Sequence, residues 1–287
     1  MKIAIIGDVH GFWNENDTDY FNSSDYDYIL FTGDLRSFSE KEDSVAKRIS
    51  RLRKKSFLIP GNADTSSLFQ LAGETFRIQF LIQMSKEKQK KRIEKMKDAL
   101  GEIELCAYEK RLLQKNSISV NLIVLRPFAM GVYLSYAPIL KKQFGIHSIE
   151  DSKERIKQVI DSCQEESIVF LGHNGPFGLG SDLTSLWSSD FTKEPLDYGD
   201  VDYSFAIDYA KSKGKKVLAA IAGHLHHKIN GTKLERNWLS KLENTHYINA
   251  AKVPRIFSKE NKTFRHHIEL EISNDNEVKV NEILAEE

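Results

Sequence analysis

Short apolar runs followed by glycine and a polar side chain recur along this chain. The first is residues 3–6, where Ile, Ala, Ile and Ile can form one buried strand. Later runs of similar length and β-branched content predict further strands, several of them separated by stretches of helical periodicity. This alternation is typical of βαβ units with a parallel sheet. The predicted strands are residues 3–6, 28–32, 56–59, 117–125, 167–171, 217–222 and 245–249.

Helices are predicted in several of the intervals between these strands, from the spacing of apolar residues and from residues typical of helix ends. Residues 40–55 carry apolar positions at spacings of four and three, which predicts a surface helix. Ser148 is placed to cap a helix that runs to Cys163, and Gly214 is placed to end a helix that begins at Asp202. Residues 264–283 predict a closing hairpin.

The stretch 68–115 interrupts this rhythm. An apolar patch around Phe76 to Met84 precedes a basic run from Lys86 to Lys97, and apolar residues from Ile93 to Ile103 recur at three and four. We therefore predict one or two amphipathic helices, inserted as a cap within a single domain of residues 1–287. The basic run has two interpretations, a solvated helix face or a lid or docking surface for an anionic partner.

The polar residues that follow the predicted strands are the candidate chemistry. Carboxylate, amide and imidazole groups come after five of the runs, and ligand sites of open α/β sheets lie beyond the carboxyl ends of the strands. Each group alone has an ordinary explanation as a turn aspartate or a core histidine, but their repetition predicts a common site. These residues are Asp8, His10, Asp34, Asn62, His173, His224 and His226.

The chemistry of these side chains restricts the kind of site. Cysteine is absent from the set, so a structural zinc site is not predicted. Mixed oxygen and imidazole ligands suit Mn, with Fe or Zn as alternatives. Seven donors exceed the needs of one ion, so we expect two divalent metal ions.

Composition narrows the class of protein. The chain has 287 residues, is 40% hydrophobic and contains 41 basic and 41 acidic residues, so charge offers no argument for nucleic acid or an anionic membrane. No apolar run is long enough for a transmembrane helix. Because the N-terminus enters a strand directly, we expect no signal peptide. Cys106 and Cys163 have no metal-type spacing, which favours a reducing, cytoplasmic location.

The ordered motifs resemble those of the calcineurin-like metallophosphoesterase superfamily, whose pattern is D-x-H, G-D, G-N-H-[DE], G-H and G-H-x-H. The resemblance spans roughly residues 1–250 and implies an α/β fold, a two-sheet β-sandwich flanked by helices. Segments 106–108, 126–131 and 173–180 further resemble a branch found in cyanobacteria and plastid-bearing plants. The matching motifs are Asp8-Val9-His10, Gly33-Asp34, Gly61-Asn62-Ala63-Asp64, Gly172-His173 and Gly223-His224-Leu225-His226.

The resemblance also implies a mechanism. It assigns one metal to Asp8, His10 and His226, and a second metal to Asn62, His173 and His224, with Asp34 bridging both. The implied reaction is hydrolysis of a phosphodiester or an activated phosphate by a metal-bridging hydroxide. The substrate would be a phosphorylated small molecule. The residues implied to be catalytic are Asp34, Asn62 and His224.

Two departures from the family pattern concern the leaving group. Ala63 stands where the family has the histidine that faces the leaving group, and Ser37 stands where a carboxylate would orient that histidine. Relatives without this histidine still hydrolyse phosphodiesters. Asp64 is kept, and we expect it to cap a short helix over residues 65–71.

Three further residues are candidates for substrate binding. Arg36 and Arg126 could reach a phosphate, although a surface position or an ion pair explains each equally well. His227 is a candidate because it adjoins the last motif. The departures leave an alternative function open, a catalytically weak scaffold of the same fold. Nucleic-acid processing is disfavoured by the balanced charge, and the oligomeric state remains open.

Overall fold

The computed structural model describes residues 1–37, 41–65, 70, 73–74 and 76–287. Within these ranges, no helix combines the length and the apolar character that crossing a membrane requires. The strands are β1 Lys2–Ile6, β2 Tyr28–Phe31, β3 Lys55–Leu58, β4 Glu104–Leu105, β5 Glu109–Lys115, β6 Ile118–Val124, β7 Ser167–Leu171, β8 Lys216–Ala222, β9 Leu239–Leu242, β10 Thr245–Asn249, β11 Ile256–Lys259, β12 Lys262–Ile272 and β13 Val278–Glu286. The helices are α1 Glu15–Ser23, α2 Glu42–Ile49, α3 Gln79–Ala99, α4 Ala137–Phe144, α5 Ile149–Asp161 and α6 Val201–Ser212.

The strands form two mixed sheets. The first has the order β11-β12-β1-β2-β3-β4, with β13 paired to β12. Its strands β1 to β4 are parallel, and β12 joins β1 in antiparallel register. The second has the order β5-β6-β7-β8-β10-β9, in which β6, β7, β8 and β10 are parallel. The predicted α/β fold of two sheets flanked by helices is confirmed.

Three apolar layers hold this architecture together. Side chains from both sheets, such as Ile5, Leu122 and Leu171, pack between the sheets. The opposite face of the first sheet, including Phe31, packs against α1, α2 and the C-terminal half of α3. The opposite face of the second sheet, including Phe170, packs against α4, α5 and α6. The parallel strands at the centre of each sheet are covered on both faces. Their sequences are therefore nearly uniformly apolar.

Most predicted elements occur within a few residues of their expected ends. The Ser148 hydroxyl caps α5 by accepting a hydrogen bond from the Asp151 backbone N–H at 3.1 Å. The Asp151 carboxylate accepts from His147 N instead of completing a capping box. Among the elements that the structure describes, β4, β5, β9, β11 and α4 were not predicted.

The predicted helical range 68–115 differs most from the structure. Its helix ends at Ala99, and the range then contains β4 and β5. Because β4 pairs with β3 in parallel, α3 is the crossover between two neighbouring strands of the first sheet. The strand β5 was not predicted, because it lies at a sheet edge and its sequence, EKRLLQK, shows little alternation of apolar and polar residues. Residues 66–69, 71–72 and 75 of the predicted insertion and cap lie outside the described residues.

The two halves of α3 have different surroundings. In the C-terminal half, Met96 and Leu100 are fully buried against the first sheet and α2. In the N-terminal half, Phe80 and Met84 are 70% and 62% exposed. The helix is therefore anchored at its C-terminal end, while much of its first half forms part of the surface.

This contrast predicts the effect of two identical substitutions on α3. We expect Met96→Ala to lower the free energy of unfolding by about 2–5 kcal/mol, because it leaves a cavity in a packed layer. The matched control Met84→Ala should change it by less than about 0.5 kcal/mol, because that side chain is largely in solvent. Urea unfolding followed by circular dichroism measures both. Equal effects of the two substitutions would contradict the anchoring of α3.

Candidate metal centre

Asp8 lies two residues after β1 and is fully buried. Its carboxylate accepts hydrogen bonds from the Thr32 hydroxyl at 3.1 Å and from the His224 backbone N–H at 3.0 Å. These contacts join the ends of β1, β2 and β8. A Cβ atom at Gly223 would lie 2.1 Å from Asp8 Oδ1, so only glycine allows the β8 loop to approach this carboxylate.

The first cluster of possible metal ligands consists of Asp8, His10 and His226, whose ligand atoms lie within 4.8 Å of one another. His10 Nδ1 lies 2.9 Å from the carbonyl oxygen of Arg36, and this oxygen can only accept. The neutral ring therefore carries its proton on Nδ1 and presents a lone pair at Nε2. That Nε2 lies 3.1 Å from His226 Nε2, which is itself 3.5 Å from Asp8 Oδ2.

The second cluster consists of Asp34, His173 and His224, also within 4.8 Å. His173 Nδ1 lies 2.7 Å from the carbonyl oxygen of Thr32, so its Nε2 presents a lone pair in the neutral ring. His173 Nε2 lies 2.8 Å from Asn62 Oδ1 and 3.6 Å from Asp34 Oδ1. Asn62 thus stands beside this cluster with its side-chain oxygen directed at it.

Asp34, a member of the second cluster, also faces the first cluster. Its Oδ1 is 3.6 Å from His173 Nε2 in one cluster, and its Oδ2 is 3.7 Å from His10 Nε2 in the other. The backbone N–H of Ala63 donates to Oδ1 at 2.7 Å, which fixes the orientation of the carboxylate. A Cβ at Gly61 would lie 2.2 Å from Asp34 Oδ1, so this glycine is also required by close approach.

Asp64 holds the loops that carry Asp34 and Asn62. Its fully buried carboxylate accepts backbone hydrogen bonds from Gly61 at 2.8 Å, Asp34 at 3.0 Å and Leu35 at 2.6 Å. These bonds tie the ends of β2 and β3 together. We predicted that Asp64 would cap a helix over 65–71, part of which lies outside the described residues. Its described hydrogen bonds instead connect two site loops.

Three of the candidate ligands have a left-handed backbone. The φ angles are 43° at His10, 51° at Asp34 and 71° at His224. Non-glycine residues seldom adopt this conformation, and they keep it only where the surrounding structure enforces it. Here the enforcing contacts include the bonds from His10 N to Asp34 O and from His224 N to Asp8.

Burial and neighbouring charges set the protonation of the site. Burial, together with His173, lowers the pKa of His224 to about 3, so its imidazole is neutral at pH 7. Burial alone would raise the pKa of Asp8, but His226, His173 and His10 outweigh it and hold that pKa below its usual range. Neutral imidazole and ionised carboxylate are the forms that bind metal ions.

The arrangement fits two divalent cations. The Nε2 lone pairs of His10 and His173 face carboxylate or amide oxygens of Asp34 and Asn62 at 2.8–3.7 Å. Acceptors at such distances repel one another unless a proton or a cation lies between them. The second nitrogens of His10 and His173 are already bonded to backbone carbonyls, as in metal-binding histidines generally.

The structure gives the surroundings of the three predicted substrate contacts. Arg126 is buried and donates from Nε to Asp202 at 2.7 Å, and it also pairs with Asp200 at 3.1 Å. It therefore has a structural role beneath the site loops. His227 is buried, with Nε2 2.8 Å from the carbonyl oxygen of Asn249, so it is not exposed to a substrate. Arg36 is half-buried, and its carbonyl group orients His10.

Sequence reasoning missed some residues that support the site. Arg236 is buried and donates to the carbonyl groups of His226 and Ser188, so it links the last motif to the long loop after β7. Nothing in its sequence context signals this role, because its partners are distant along the chain. Thr32 directly precedes Gly33-Asp34, and this adjacency is the only signal that could have identified it.

The chain is similar to several known structures. TT1561 of Thermus thermophilus has a TM-score of 0.54 at 8% identity, with 98% of this chain and 97% of that chain covered. The phosphopantetheinyl hydrolase PptH from Mycobacterium tuberculosis has a TM-score of 0.45 at 15% identity, covering 86% and 88%. A novel archaeal phosphodiesterase has a TM-score of 0.35 at 13% identity, covering 99% and 100%. At these identities the likeness concerns the fold alone, and only the first score supports it.

No curated protein matches the sequence of this chain. A sequence model of the calcineurin-like phosphoesterase family, however, matches residues 1–228, which is most of the chain and includes all seven candidate ligands. The chain therefore belongs to the calcineurin-like phosphoesterase family.

Proposed function

We propose that this protein is a dimetal phosphoesterase that hydrolyses a phosphodiester or an activated phosphate. The observation that carries the proposal is the position of Asp34, with one carboxylate oxygen directed at each cluster of possible ligands. A carboxylate placed in this way can bridge two ions. Two such ions supply Lewis-acid stabilisation of the phosphoryl oxygens and an activated water for in-line attack.

The ligand sets in this proposal are those of the family resemblance. Asp8, His10 and His226 hold one ion, and Asn62, His173 and His224 hold the other. Asp34 contributes to both. Mn is the proposed metal, with Fe or Zn as alternatives, because carboxylate, amide and imidazole ligands suit all three.

Among the described residues around the proposed site, we find no obvious acid for the leaving group. Ala63 contributes a methyl group and a backbone N–H that is already donated to Asp34. Arg36 remains a proposed phosphate contact near the first cluster. We therefore propose that the preferred substrates have leaving groups that depart without protonation, such as aryl oxides or phosphates.

Ala63 also favours a second candidate, a weakly catalytic scaffold that binds a phosphorylated ligand. The loss of the leaving-group histidine removes a contribution that is typically worth about 10²- to 10⁴-fold in rate. The two candidates differ in turnover rather than in metal content. Rates measured with metal-loaded protein therefore separate them.

Removal of the bridging charge tests the two-ion site. We expect Asp34→Asn to reduce hydrolysis of bis-p-nitrophenyl phosphate to background and to lower bound manganese from about two ions per chain to about one or fewer. Elemental analysis after loading with excess Mn²⁺ measures the metal content. Asp275→Asn, at an exposed turn residue, is the matched control and should retain both. Wild-type protein that binds one ion or none would contradict the proposal.

Restoring the missing acid tests the role of Ala63. We expect wild-type rates to fall steeply along a series of aryl methyl phosphodiesters as the leaving-group pKa rises. Ala63→His, combined with Ser37→Asp, should recover part of the rate for poor leaving groups and change little for good ones, because only poor ones need a proton. Ala63→Ser is the control without an imidazole. A flat wild-type series with chemistry rate-limiting would mean that another proton donor is present.

A further inference from the structure

A large cleft lies between α3 and α4. Its volume is about 1280 Å³, and its third wall is the segment around residues 191–198 of the loop after β7. Ligand pockets typically measure about 300–1,000 Å³, so this cleft can hold a substantial organic group with water around it. We refer to it as the α3–α4 cleft.

Two hydrogen bonds link the surroundings of the cleft to the loops that carry the proposed ligands. Tyr136, which directly precedes α4, donates its hydroxyl to the carbonyl oxygen of Asn62 at 3.0 Å. Tyr198, a lining residue, accepts a bond at its carbonyl oxygen from Asn174, the neighbour of His173, at 2.9 Å. The walls also derive from segments that follow β3, β6 and β7, whose ends carry or adjoin the proposed ligands. These bonds and segments link the walls of the cleft to the loops that carry Asn62 and His173.

The walls of the cleft combine aromatic rings with positive charge. Tyr133 is 56% exposed, and the guanidinium of Arg77 lies 3.5 Å from the centre of its ring. Lys141, in the last turn of α4, is exposed and lines the same space. Among the lining residues that the structure describes, the one acidic side chain is Glu74, and burial raises its pKa to about 7, which reduces its negative charge. The described lining thus favours an anion.

The mixture of lining residues discriminates between kinds of anion. An acyl chain needs a continuous apolar wall, whereas amide and hydroxyl side chains such as Gln79, Gln83 and Thr192 interrupt this one. Aromatic rings next to cations instead suit a planar ring bearing a phosphate. Stacking of such a ring on a tyrosine and pairing of its phosphate with a lysine use both features.

We propose that the α3–α4 cleft binds the non-scissile part of the substrate, and that this part is a nucleotide. The assignment rests on the proposed function, since it names the substrate class of that site. Tyr133 stacks on the base, and Lys141 pairs with the phosphate. The cleft, rather than the metal ligands, then sets the specificity of the reaction.

Binding of adenosine 5′-monophosphate to chelator-treated, metal-free protein tests the cleft without any catalysis. We expect calorimetric titration to detect binding, and Tyr133→Ala to weaken it by about 5- to 100-fold, as for one lost stack. Tyr133→Phe keeps the ring and should bind like wild type. Lys141→Ala should weaken binding by about two- to fivefold, while Lys233→Ala, an exposed lysine outside the cleft, should not.

Adenosine and ribose 5-phosphate, the two parts of adenosine 5′-monophosphate, test the roles of Tyr133 and Lys141 separately. Adenosine should lose affinity with Tyr133→Ala and be unaffected by Lys141→Ala, whereas ribose 5-phosphate should show the reverse. Circular dichroism checks that each variant is folded. The affinities of wild-type protein for the three ligands can be compared even if a variant does not fold. Absence of binding to wild-type protein, or affinities that ignore both substitutions, would overturn the proposal.

The test separates this inference from the proposed function. Hydrolysis of p-nitrophenyl methyl phosphate by Mn²⁺-loaded wild-type protein tests the phosphoesterase alone, because that substrate has no nucleotide. Hydrolysis without nucleotide binding would overturn the cleft assignment and leave the phosphoesterase intact. Nucleotide binding that depends on Tyr133 and Lys141, without hydrolysis, would support the cleft and favour the scaffold.

Discussion

Seven acceptor side chains share one small space where the ends of the two sheets meet, and the fold must hold them there against their mutual repulsion. Buried carboxylates and imidazoles are costly unless hydrogen bonds or cations compensate them. Part of the compensation is built into the chain, because backbone N–H groups reach Asp8 and Asp34, and backbone carbonyls bind the second nitrogens of His10 and His173. The remaining lone pairs face each other, which is the feature that points to cations.

The convergence of these loops has a conformational cost. Left-handed backbone at three candidate ligands and glycines in contact with carboxylates leave little freedom for substitution. Asp64 is central to this arrangement, since one buried carboxylate receives three backbone bonds from two loops. Such support allows a rigid ligand set to stand on loops, which otherwise are the more mobile parts of a domain.

In the function proposed here, the metal centre and the α3–α4 cleft have different roles. The metal chemistry proposed here is generic and acts on the phosphoryl group alone. Selection among phosphate esters then falls to surfaces around it, and we propose the α3–α4 cleft as that surface. A site without a leaving-group histidine at position 63 also depends more on the substrate's own leaving group. Both features direct attention to what the substrate carries beyond its scissile bond.

The sequence by itself determined most of the long buried strands, several helix ends and the seven candidate ligands. A continuous apolar run indicates a strand that is buried on both faces. A glycine followed by a polar side chain, repeated after several such runs, indicates strand ends that meet at one site. The local sequence was therefore sufficient to predict these features. Tertiary structure alone decided the clamp of Asp64, the burial of Arg126, the course of β5 and the existence of the α3–α4 cleft. The reason is that each depends on partners distant in sequence, as with Arg126 and Asp202, which are 76 positions apart. A residue's own neighbours along the chain carry no record of such a partner, and only the packing of the sheets and helices brings the two together.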